Sequence, residues 1–245
     1  MTSAEGKIVL VTGAARRLGA VIARRFAGAG ATVVIHAFQS AAAAREVVSD
    51  LPGGAARHRV VTADLADPAG AEALFAALEG TAPDILVNNA ALYSRRGLFE
   101  SSPEEYRRFM QVNFLSPLEL MRLFAASSTR SGRSVVNILD ASAGDPPLGA
   151  YSLSKRALRD ATIEAAAVLG REYGIRVNGV APGPVLAPDG VAHPLRESRL
   201  VSVLGRTPEP EEVAEAVCFA ALHPALTGVI LPVDAGFRLG KERRR

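Results

Sequence analysis

The sequence predicts one α/β domain over residues 1–245, a doubly wound, seven-stranded parallel sheet with helices on both faces. Three observations carry this expectation. Short β-branched runs alternate along the chain with Ala-rich stretches of helical period. The runs are apolar at successive positions, as strands covered on both faces require. No Gly-, Ser- or Pro-rich linker and no long internal repeat divides the chain.

The predicted strands are 8–11, 32–35, 58–61, 85–87, 134–139, 175–180 and 229–233, and the predicted helices are 18–29, 40–51, 70–78, 103–127, 151–172 and 210–222. The fourth helix has a well-marked start: Ser102 is an N-cap, Pro103 fills the first helical position, and Glu105 completes a capping box. Inside it, Pro117 lacks the N–H that would bond the Asn113 carbonyl, so the helix bends near Asn113. The Pro- and Gly-rich stretch 182–209 is too long for a simple connection and reads as a mobile substrate loop.

Composition narrows the function classes. With 245 residues, 49% of them hydrophobic and 22% charged, the chain can bury a full core, which excludes a disordered tail or a disulfide-stapled scaffold. The single cysteine, Cys218, has no partner for an internal disulfide, no secretory leader pattern is visible, and no apolar run approaches the roughly 18 residues that cross a bilayer. A cytoplasmic protein without membrane contact is expected. The net charge of +3 resides entirely in the basic tail 241–245, and the neutral remainder offers no phosphate-tracking face, so nucleic acid is not an expected partner. His36, His58, His193 and His223 lie far apart, and no metal site is expected.

The first strand runs into Thr12-Gly13-Ala14-Ala15-Arg16-Arg17-Leu18-Gly19 and then directly into a helix. A glycine turn there exposes backbone N–H groups at a helix N-terminus, where the dipole favours phosphate; this is the position of a Rossmann dinucleotide turn. An acid at the end of the second strand would hold a ribose 2′-hydroxyl, but that end reads His36-Ala37-Phe38-Gln39-Ser40. With Arg16 and Arg17 able to pair with an additional phosphate, NADP(H) is favoured over NAD(H). Asp64 and Leu65 after the third strand, and Asn89 and Ala90 after the fourth, face the crevice at the strand ends and are further cofactor candidates.

The strongest chemical signal is Tyr151-Ser152-Leu153-Ser154-Lys155 at a helix start. A spacing of four puts phenol and ammonium on one face. A nearby cation lowers a phenol's pKa from its reference of about 10 by about 1–3 units, which would make Tyr151 a proton relay. The chain has only three lysines against 25 arginines, and one of the three stands here.

Taken in order, Thr12-Gly13 to Gly19, Asp64-Leu65, Asn88-Asn89-Ala90, Asn113, Tyr151 to Lys155, Val177-Asn178, Pro182-Gly183 and Pro232-Val233-Asp234 resemble the marks of the short-chain dehydrogenase/reductase family, over residues 7–239. The resemblance implies hydride transfer to or from nicotinamide with Tyr151 as proton donor. Lys155 would bind the nicotinamide ribose and lower the phenol's pKa, and Asn113 would hold a water in the proton path. It also implies cofactor contacts from Pro182 and Gly183, and a homotetramer.

Within the family the chain looks most like pteridine reductases. Arg17 stands where most members have a second glycine, the segment from His36 to Ser40 is similar to their NADPH-binding segment, and Asp140 replaces the usual serine. Tyr93 stands where those enzymes place a ring that stacks on a flat substrate. Reducing a C=N bond requires protonating ring nitrogen, which a carboxyl group beside Tyr151 would assist. The segment from Asp140 to Tyr151 is two residues shorter than the usual spacing, leaving Asp140 and Ser142 as alternatives beside the phenol. The arginine implied at position 39 is replaced by Gln39. The competing readings are an NADP(H)-dependent reductase or dehydrogenase of a ketone or alcohol, such as a 3-oxoacyl compound, and a non-catalytic NADP(H)-binding sensor.

Overall fold

The computed structural model describes residues 3–143, 149–186 and 201–242. Seven strands, β1 (Ile8–Val11), β2 (Thr32–Ala37), β3 (Arg59–Thr62), β4 (Ile85–Asn88), β5 (Ser134–Ile138), β6 (Arg176–Pro182) and β7 (Ile230–Val233), form one sheet in the order β3-β2-β1-β4-β5-β6-β7. All pairs are parallel, with Leu10 opposite Val34 on one side and Leu86 on the other. The order reverses between β1 and β4. Their carboxyl ends diverge there into a crevice, which places the site.

The connecting helices are α1 (Arg17–Gly28), α2 (Ala41–Asp50), α3 (Gly54–Arg57), α4 (Gly70–Ala76), α5 (Pro103–Met110), α6 (Ser116–Ala126), α7 (Ala150–Tyr173), α8 (Pro210–Leu222) and α9 (Phe237–Glu242). Alternate strand residues face opposite layers, as a two-residue period dictates. Val9, Val11, Val33 and Ile35 pack with Ile22 and Phe26 of α1 and Val213 and Val217 of α8. Leu10, Val34, Leu86 and Val135 pack with Leu74 of α4, Leu120 and Phe124 of α6 and Leu169 of α7. Both faces are therefore buried, which is why the strands read as continuous apolar runs.

Several predicted boundaries shift by one or two residues, and α3 and α9 are too short to give a periodic signal. The single bent helix predicted at 103–127 is corrected to α5, a π-helical turn at Gln111–Leu115, and α6. The capping box of Ser102 and Glu105 is present at its start. The physical reason for the interruption is Pro117, which cannot donate to Asn113, so the backbone widens over the preceding turn. Most of the predicted loop at 182–209, namely 187–200, and the last three residues of the basic tail lie outside the described residues.

Candidate active site

At the β1–α1 turn, Gly13 has φ +62°, and a Cβ there would stand 2.8 Å from the Ala90 Cα. A Cβ on Gly19 would stand 2.5 Å from Asn89 Nδ2. Both positions require glycine because the β4 exit lies against the turn. Thr12 and Asn89 lock this approach: Thr12 Oγ1 accepts from Asn89 N at 2.9 Å and Ala90 N at 3.0 Å, while Asn89 Nδ2 donates to Thr12 O at 2.9 Å. Arg17, at the position of the missing second glycine, holds φ +53°, a left-handed conformation that costs a side-chain-bearing residue roughly 1–2 kcal/mol.

A cavity of about 390 Å³ opens over this turn. Gly13, Arg16, Arg17, Leu18, Gly19, His36, Asp64, Leu65, Asn89 and Ala90 line it, so these sequence-predicted cofactor residues converge. Ser40, Tyr151, Lys155, Pro182 and Gly183, also expected at the cofactor, do not line it. The first turn of α1 has no acidic residue and its N-cap, Arg16, makes no side-chain cap bond, leaving the positive helix end to a ligand. With a glycine cradle, an open helix N-terminus, Arg16 and Arg17, the donor set fits a dinucleotide's phosphates.

His36 plays a different part from a phosphate ligand. Its Nδ1 accepts from Gly13 N at 3.2 Å and its Nε2 donates to Ala63 O at 3.1 Å. Burial lowers its pKa, so the neutral ring braces the turn against the β3 exit. Asp64 turns one oxygen inward to accept from Ala66 N at 2.9 Å, while Leu65 O accepts from Ser116 Oγ at 2.8 Å.

The chemical end adjoins this cavity, because Leu92 lines it and Tyr93 follows. Tyr151 Oη donates to Asp140 Oδ2 at 2.6 Å. Despite the shortened segment, Asp140 reaches the phenol; Ser142 instead donates its backbone N–H to Asp140 Oδ1 at 2.6 Å and so orients the carboxylate. Tyr93 stands edge-on to Tyr151 with ring centroids 4.9 Å apart. Ala141 N donates to Pro182 O at 2.9 Å, tying the β6 exit to the same loop. A Cβ on Gly183 would lie 2.8 Å from the Asp234 Cα, so the β7 exit closes on that end.

Asn113 is fully buried beneath these groups. Its Oδ1 accepts from Leu92 N at 2.8 Å and its Nδ2 donates to Leu92 O and Ser154 Oγ, both at 3.0 Å. Ser154 Oγ in turn donates to Tyr151 O at 2.7 Å. The amide thus fixes both Leu92 and the first turn of α7.

Lys155 is buried, and its Nζ donates to Ile138 O at 2.8 Å. Desolvation lowers its pKa to about 8. The expectation that Lys155 acidifies Tyr151 is corrected here. Burial, then the adjoining Asp140 charge and hydrogen bond, hold the phenol well above its ordinary value. The nearest strong charge is negative, and it favours the protonated phenol.

Sequence reasoning missed Phe38, Arg108 and Val112, which also line the cavity. Arg108 and Val112 are one helical turn apart, a spacing from which they could have been found by extending the helix face near Asn113.

A family model described as enoyl-(acyl carrier protein) reductase matches residues 13–238. The chain belongs to the short-chain dehydrogenase/reductase family. It is similar to pteridine reductase 1 of Leishmania tarentolae, with 31% identity over 287 residues, covering 97% of this chain and 98% of the relative. It is equally similar to the NADP-dependent (R)-specific alcohol dehydrogenase of Lentilactobacillus kefiri, with 31% identity covering 95% of this chain and 97% of that one. Among solved structures, a blue fluorescent protein from a metagenomic library in complex with NADPH superposes with a TM-score of 0.86 at 32% identity, covering 96% of this chain and 99% of that one. This short-chain dehydrogenase/reductase is an NAD(P)(H)-dependent oxidoreductase.

Proposed function

We propose that the protein is an NADPH-dependent reductase of pteridine-like substrates. One observation carries the reading: Tyr151 Oη donates to Asp140 Oδ2 at 2.6 Å with the Tyr93 ring edge-on beside it. A carboxyl–phenol pair under an aromatic wall suits a flat ring whose nitrogen must be protonated as the adjacent carbon is reduced. Arg16 and Arg17 at the cavity, and the absence of an acid among Ala37, Phe38, Gln39 and Ser40, support NADP(H) over NAD(H).

Bound NADPH supplies a hydride, and the chain's own side chains do the rest. Gly13, Gly19, Arg16 and Arg17 hold phosphates, and Lys155 offers its spare N–H groups to ribose hydroxyls. As Tyr151 gives its proton to the substrate nitrogen it takes one from the carboxyl group of Asp140, which is reloaded from solvent, so no phenolate is left beside a carboxylate. Asn113 positions Tyr151 through Ser154, and its carbonyl, which Pro117 cannot engage, is the acceptor available to a water in the proton path. A homotetramer working in the cytoplasm belongs to the same reading. Among the described residues no helix is long and apolar enough to cross a membrane, and Ile163 and Val168 of α7 and Leu118 of α6 are exposed apolar side chains available to subunit packing, which light scattering tests.

Following NADPH absorbance with dihydrobiopterin and dihydrofolate tests the substrate; absence of turnover with both removes it. Reduction of an ordinary ketone is the second reading, supported by the likeness to the NADP-dependent alcohol dehydrogenase of Lentilactobacillus kefiri and by a Tyr151 phenol placed to donate to a developing alkoxide. Asp140→Ala separates the two, abolishing pteridine reduction while sparing ketone reduction.

A further inference from the structure

The segment between β4 and α5 carries a cluster of hydrogen-bond donors beside the reacting groups. Arg95 Nε donates to Tyr93 Oη at 3.2 Å, and the Tyr93 ring meets Tyr151. With Oη accepting from Arg95, the phenol's own proton points elsewhere, and both terminal nitrogens of Arg95 keep their protons for another partner. Neighbouring arginines are engaged: Arg96 pairs with Glu105 at 2.8 Å and Arg107 with Glu104 at 2.7 Å. Arg95 has no ion pair among the described residues.

This arm is held from several sides. Asn113 clamps both backbone groups of Leu92. Gly149 lies so close to the Arg96 carbonyl that a Cβ there would overlap it. Tyr106 Oη donates to Leu98 O at 2.6 Å. A surface arginine on a loose loop contributes little to recognition, but one on a preorganised arm forfeits less freedom when a ligand arrives.

With the terminal N–H groups of Arg95 and the Tyr93 O–H left to donate, the pair suits an acceptor, and a guanidinium matches a carboxylate with two parallel bonds. We propose that Arg95, together with the Tyr93 hydroxyl, is the specificity-determining anchor for a carboxylate carried across the ring of the substrate, so that the substrate class is carboxylated ring compounds. The inference rests on the proposed function in one respect, that Tyr93 walls the substrate, and not on the ring being a pteridine.

Binding to the full-length protein saturated with NADP⁺ tests it, with two matched pairs: pterin-6-carboxylate against 6-methylpterin, and 4-oxocyclohexanecarboxylate against its methyl ester. The carboxylated member is expected to bind about tenfold tighter in the pair the site accepts. That preference disappears in Arg95→Ala, is partly kept in Arg95→Lys, and shrinks with added salt, while the neutral member and NADPH bind unchanged. Equal affinities within both pairs, equal losses for both members in Arg95→Ala, or binding of none of the four overturns the anchor. If only the cyclohexane pair binds and shows the Arg95 dependence, the anchor stands and the pteridine reading falls. If 6-methylpterin binds and is indifferent to the carboxylate, the pteridine reading stands and the anchor falls.

Discussion

The two ends of β5 each hold a buried cation, and the contrast between them separates structure from function. Before the amino end, Arg133 donates to Pro83 O at 3.3 Å, Ser128 O at 2.7 Å and Ser127 Oγ at 2.8 Å, and also to Phe124 O. Its guanidinium lies 3.9 Å from the centroid of the Phe124 ring. At the carboxyl end, Lys155 has one hydrogen bond among the described residues, to Ile138 O. Arg133 caps the carbonyls that end α6 and is a finished structural element. Lys155 is desolvated with that single hydrogen bond, which is costly and agrees with its proposed role at the cofactor ribose.

Changes at the two ends should therefore act on different observables. The largest effect belongs to the carboxyl end: Tyr151→Phe is expected to lower kcat by about 10²–10⁴ with little change in melting temperature, measured on whichever substrate turns over. Arg133→Met should destabilise the fold by roughly 3 kcal/mol or more in denaturant unfolding, because it strips donors from several buried carbonyls. Substituting Lys155 by Met reverses that sign, with stability rising by about 1–3 kcal/mol near neutral pH while activity is lost. A destabilised Lys155→Met would break the comparison.

The same contrast has a pH signature. Lys155 titrates at about 8 in the folded protein, below the lysine reference of about 10.4 in the unfolded chain. Between those values the unfolded state binds more protons, so stability rises with pH; the penalty is fully present below pH 8 and is relieved above it. The gap in unfolding free energy between the wild type and Lys155→Met should narrow across this window. If the charged ammonium is the working form, kcat/KM of the free enzyme declines as pH passes about 8.

The smallest effect is at the cofactor turn. Arg17→Gly removes left-handed strain of roughly 1–2 kcal/mol and adds roughly 0.5–1 kcal/mol of backbone entropy cost, so stability should change by under about 1 kcal/mol. NADPH affinity should nonetheless fall severalfold in fluorescence titration. Unchanged affinity would make Arg17 a bystander at the cavity.

Much of the frame was legible along the chain. Strand positions followed from apolar runs, the turn from Gly13 and Gly19, the helix start from Ser102, Pro103 and Glu105, and the Tyr151–Lys155 pair from its spacing. These are local signals, set by backbone periodicity and by what a few adjacent residues can do. Which of Asp140 and Ser142 meets the phenol was not legible, because sequence separation does not give a distance across a loop; the tertiary structure brings Asp140 to Tyr151 and turns Ser142 into its support. Nor could spacing foretell the sign of the phenol's shift. Charge type is written in a residue's identity, but desolvation and the nearest opposing charge depend on how β5, α7 and the β4–α5 arm pack together. The sequence by itself determined the layered sheet and put forward Tyr151, Lys155 and Asp140 as the candidate groups. Only the tertiary structure decided which of them touch, which are dry, and which hold their protons, because those properties arise from contacts between residues far apart along the chain.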